Sequence, residues 1–114
     1  MTTVAVIHSA FEETARTVAF VDVGDRAGED ALEFAYERTN NIAGSWSREA
    51  EFEFRGELVK NPDFCESVTV MAELPVCKRT GELMGLRSTS MGDRMLLGTE
   101  TYEVMPFGFK KVTA

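Results

Sequence analysis

Only one segment of this chain has the apolar spacing of a helix, and that limits the folds open to it. Within Glu29–Thr39, Ala31, Leu32, Ala35 and Tyr36 follow an i, i+1, i+4, i+5 stripe, and Phe34 widens it. Glu29 and Asp30 sit where the positive end of the helix dipole favours acids, and Asp25 or Gly28 suits the start. Asn40-Asn41 suits the end, because Asn tolerates the left-handed conformation used there. Parallel strands need crossover connections, usually helical. The sequence has no strand–helix–strand alternation to supply them, so the sheet is expected to be antiparallel.

The remaining apolar runs are short and strand-like. Residues 3–8 and 16–23 are β-branched, and in the second run Val21 and Val23 mark the buried face. Residues 51–55 alternate charge with aromatic, which predicts Phe52 and Phe54 pointing inward. Asn61-Pro62-Asp63 is a turn, residues 67–72 alternate around Val68 and Val70, and Pro75 ends that strand. After the polar loop 78–82 comes a hairpin module: Arg87-Ser88-Thr89-Ser90-Met91-Gly92-Asp93, then strands at 94–97, 101–104 and 107–112. The expected class is α+β. One main helix packs on a bent antiparallel sheet, or a small open barrel, of about five to seven short strands.

A length of 114 residues with 44% hydrophobic content suits one domain, 1–114, with a real core. No apolar run reaches the roughly 18 residues of a membrane span. The N-terminus lacks the basic and apolar regions of a signal peptide, so cytoplasm is the default expectation. In that compartment Cys65 and Cys77 stay reduced, although their spacing permits a bridge. The net charge of −7 is uneven: residues 1–57 hold twelve Asp/Glu against five Arg, and residues 58–114 hold seven of each sign. Such an N-terminal half repels phosphate, which disfavours direct nucleic-acid binding. It suits a basic protein partner, or solubility alone.

No catalytic constellation is legible. Asp22, Asp25, Glu29 and Asp30 cluster at a strand-to-helix turn, but their spacing fits no calcium loop and Arg26 interrupts them, so no metal is expected. Gly24 and Gly28 bracket a segment without the Lys-Ser/Thr of a phosphate loop. His8 is the only histidine, and no nucleophile can be paired with it from sequence. Neither a catalytic residue nor a cofactor is therefore assigned. Arg87, Ser88, Thr89 and Ser90 combine a guanidinium with hydroxyls, which suits an anion or, equally, a tight self-bonded loop. Trp46, flanked by Ser45 and Ser47, is either tucked over a core edge or an interface anchor. Glu29, Glu33 and Glu37 line one outer face of the helix, either simply wet or facing a cationic partner.

The terminal module resembles a pattern in small phage, plasmid and other mobile-element proteins. In those proteins a Ser-x-Ser-x-Gly-Asp loop precedes a strand, a Tyr-x-Val strand and a Gly-Phe ending. Ser88, Ser90, Gly92, Asp93, Tyr102, Val104, Gly108 and Phe109 fit it, with Met91 where Val is more usual. The segment Tyr36–Ile42 followed by Gly44-Ser45-Trp46-Ser47 resembles the stretch that often comes before it. The resemblance implies an accessory protein acting on a host factor, and it supplies no catalytic residues. The leading expectation is thus a non-enzymatic protein that binds a host protein for host takeover or defence evasion, in the manner of anti-restriction or anti-CRISPR proteins. Glu29, Glu33, Glu37 and Trp46 would carry that contact, and a basic nucleic-acid-binding protein is the suited partner. The alternative is a small-ligand or nucleotide module holding an anion with Arg87, Ser88 and Ser90. A homodimer through an exposed sheet edge is compatible with either.

Overall fold

The computed structural model describes residues 2–112. Its elements run β1 (Thr2–His8), β2 (Arg16–Gly24), α1 (Gly28–Arg38), β3 (Glu51–Phe54), β4 (Glu57–Lys60), β5 (Val68–Val70), β6 (Arg94–Leu97), β7 (Glu100–Val104) and β8 (Phe109–Val112). Six strands form one sheet in the order β5-β2-β1-β6-β7-β8, and β3 and β4 form a separate hairpin. Every pairing is antiparallel. The fold is α+β on an open sheet, with no closed barrel.

β1 lies inside the sheet because its β-branched residues tolerate burial. Val4 pairs with Val21 and Leu97, and Val6 with Ala19 and Met95. These residues share one face, since side chains alternate along a strand. That face meets Ala31, Leu32 and Ala35 of α1 in one apolar cluster, with Trp46 and Leu86 closing it. The opposite face stays partly open, with Phe20 39% and Leu96 37% exposed.

Strict alternation would place Val18 on that open face, yet it is fully buried. The pairing steps from Val6↔Ala19 to Ile7↔Thr17, so Val18 occupies a bulge. A bulge re-aims the extra side chain.

Three local expectations need correction. The N-cap of α1 is Ala27, with no side-chain hydrogen bond, so the cap is neither Asp25 nor Gly28, which is the first residue of the helix. The strand at 57–60 was not foreseen; it folds back on β3 through Arg55-Gly56, both at positive φ (53° and 82°), as a two-residue hairpin turn requires. Phe52 and Phe54 do not enter the main core, because their hairpin stands outside the sheet; Phe54 is 48% exposed. Among the described residues, no helix is long and apolar enough to cross a membrane.

Candidate functional site

The Arg87–Asp93 loop is built around its last residue. Asp93 is fully buried at the start of β6. Its Oδ1 accepts from the backbone N–H groups of Ser9 (2.8 Å) and Ala10 (2.9 Å) and from Arg87 Nη2 (2.9 Å). Its Oδ2 accepts from Ser90 N–H (2.8 Å) and Arg87 Nη1 (2.7 Å). Burial alone would raise its pKa, but the Arg87 guanidinium and these N–H groups outweigh it and hold Asp93 at about 2.

Of the two readings of Arg87, Ser88 and Ser90, the structure shows the tight self-bonded loop; the chain's own carboxylate fills the cradle that the alternative gave to an external anion. Ser88 Oγ accepts from Asn41 N–H at 2.8 Å, and Ser90 Oγ donates to the Ser88 carbonyl at 3.3 Å. All three residues hold the loop together.

Thr89 carries the network inward. The Thr39 hydroxyl donates to the Ala35 carbonyl at 2.8 Å, so in its 2.8 Å bond with Thr89 it accepts. Thr89 has then used its proton, and His8 Nε2–H must donate to it at 3.1 Å. His8 Nδ1 is left without a proton and without a partner. Burial drives the His8 pKa down to about 4, against the opposing pull of Asp93, so the ring is neutral near pH 7.

Trp46 is 1% exposed, so of its two readings the structure shows the one tucked into the core, and its side chain offers no contact surface for the other. Its indole Nε1–H donates to the Arg87 carbonyl at 2.8 Å, and its ring meets His8 edge-on at 6.2 Å between centroids. Asn41 ties the same two segments: its Oδ1 accepts from Trp46 N–H (2.9 Å) and its Nδ2 donates to the Leu86 carbonyl (3.0 Å). The turn at 61–63 completes the clamp. Asp63 Oδ2 accepts from the N–H groups of Ile42, Ala43 and Gly44 at 2.6–3.0 Å, and Asn61 bonds both N–H and C=O of Ser45. The helix-end segment 39–47 and the loop 86–93 thus bind each other.

Glu29, Glu33 and Glu37 are all exposed on α1. Among the described residues none of them lies within ion-pairing distance of a cation. Beside them runs a groove of about 190 Å³, lined by Glu29, Glu33, Tyr36, Val104, Met105, Pro106, Gly108 and Phe109. Gly108 has φ +75°, and a Cβ there would stand 3.1 Å from Glu29 Oε1, so glycine lets the β7–β8 turn approach the helix. At the tip of that turn Phe107 is 97% exposed. The sequence reading assigned Phe107 no role beyond the Gly-Phe ending; the Pro106 before it and Gly108 after it are the signal that it tops a turn.

A second groove, of about 780 Å³, separates the β3–β4 hairpin from the loops at 43–48 and 77–85. Cys77 lines it, and neither Cys77 nor Cys65 is in a disulfide. Among the described residues no three His, Cys, Asp or Glu side chains converge as metal ligands. Comparison with protein-family models, with curated proteins and with solved structures gave no match.

Proposed function

We propose that this chain is a non-enzymatic, cytoplasmic accessory protein of the phage or plasmid type, and that it binds a basic host protein through the acidic face of α1. The observation that carries the reading is the row Glu29, Glu33 and Glu37, exposed and without ion pairs among the described residues, next to the fully projecting Phe107. Carboxylates left without internal partners suit steering toward a basic surface. An exposed aromatic beside them suits the apolar anchor of a contact, the role expected of Trp46. The adjoining groove is the size of one long side chain and is lined by Tyr36 and Phe109, packed edge to face, together with Glu29 and Glu33. That chemistry matches a lysine or arginine, whose stem packs on aromatic surface while its head meets carboxylate.

The test compares capture of proteins from a bacterial lysate by three immobilised baits: wild type, Glu29→Gln/Glu33→Gln/Glu37→Gln, and Phe107→Ser. A basic protein held by wild type and lost by both variants supports the reading. The same proteins held by all three baits contradict it.

A further inference from the structure

The larger groove has features that the acidic-face reading leaves unused. The chain carries a net charge of −7, yet the cations on this groove, Arg48, Arg55 and Lys60, outnumber its acids, Glu53 and Glu82. None of the three cations makes an ion pair among the described residues. Arg48 is committed to the architecture: its guanidinium lies over the Phe52 ring at 4.1 Å and donates to the Leu83 carbonyl at 2.8 Å, joining the two walls. Arg55 lies 5.2 Å from the Phe54 ring centroid. The walls are apolar to an extent water does not favour: Phe54 is 48%, Leu83 52% and Met84 50% exposed. A volume of about 780 Å³ falls in the range of small-molecule sites.

We infer that this groove binds a small amphipathic anion, its flat apolar body on Phe52, Phe54 and Leu83 and its carboxylate, sulfonate or phosphate drawn to the cations that line the same groove, Arg55 and Lys60. The apolar walls supply the affinity and the two uncommitted cations fix the orientation. The anion site expected at Arg87 is thus relocated, to a place where no internal carboxylate occupies the cations.

The probe is 8-anilinonaphthalene-1-sulfonate, set against its uncharged counterpart N-phenyl-1-naphthylamine. The test variants are Lys60→Gln, Arg55→Asn and Phe52→Ala. Arg55 sits at φ 53°, a left-handed position that Asn accepts more readily, so Arg55→Asn should keep or raise the unfolding midpoint. Cys77 reports location. Hydrogen bonds from the Thr80 hydroxyl and from the Thr80 and Arg79 backbone lower its pKa, and alkylation with iodoacetamide can be compared there and at Cys65.

The expected result is saturable binding of one sulfonate per chain, weakened about three- to fivefold by Lys60→Gln or Arg55→Asn. Binding of the neutral probe should be unchanged by those two variants and reduced by Phe52→Ala. The sulfonate should protect Cys77 but not Cys65. Equal sulfonate binding by wild type and both cation variants would overturn the inference, as would protection of neither cysteine. Self-association that Lys60→Gln abolishes would overturn it too, by making a second copy the occupant.

Discussion

Asp93 shows how one residue organises a whole loop. It takes five hydrogen bonds while fully buried, so the protein has replaced its hydration completely. Asp93→Asn would strand Arg87 and turn an acceptor into a donor facing N–H groups; the expected cost is about 3 kcal/mol in urea unfolding. Arg87→Gln should cost less, because the N–H groups of Ser9, Ala10 and Ser90 still satisfy the carboxylate. His8 makes a second prediction. Its pKa is about 4 folded against 6.5 for the free side chain. Between those values the unfolded chain takes up a proton that the native chain refuses. Stability is therefore complete above the unfolded pKa and falls as pH drops toward the folded one. From pH 7.5 to 5 the loss should be about 2 kcal/mol. His8→Gln should flatten the unfolding midpoint across that range, whereas Asp93 contributes its own acid sensitivity only below its unfolded pKa of about 4.

At the scale of elements, the local patterns were legible and the long-range closures were not. The stripe at Ala31, Leu32, Ala35 and Tyr36 identified α1, and the β-branched runs identified β1 and β2, because these periods repeat within a few residues. β4 was missed because Glu57-Leu58-Val59-Lys60 is too short and too charged to show a period, and its partner β3 supplies the pairing. Local sequence left the two readings of Trp46 open for a different reason. Its serine neighbours resemble a solvated loop, but its burial depends on Arg87 and Leu86, about forty residues onward. The Ser9–Asp93 bond spans a separation of 84 residues, which no local spacing can encode. The loop that carries Trp46 yields its own prediction. A Cβ on Gly44 would collide with Asn61 Oδ1, the atom that fixes Ser45. Gly44→Ala should therefore cost about 1–3 kcal/mol and lower the unfolding midpoint.

At the scale of the molecule, the polar side chains of the Trp46 loop and of the Arg87–Asp93 loop are spent on each other, and the surfaces left free lie elsewhere. In a chain whose net charge is −7, the outer face of α1 carries three glutamates, whereas cations outnumber acids three to two along the hairpin groove. The central claim is that Glu29, Glu33 and Glu37 carry the contact with a basic partner. It is tested most directly by the dissociation constant of the captured partner across a series of salt concentrations, for wild type and for Glu29→Gln/Glu33→Gln/Glu37→Gln. Screening acts on exposed charges, so the wild-type affinity should fall steeply with salt. The variant should bind more weakly at low salt, with a much shallower slope. Identical affinities and identical slopes for the two proteins would contradict the claim.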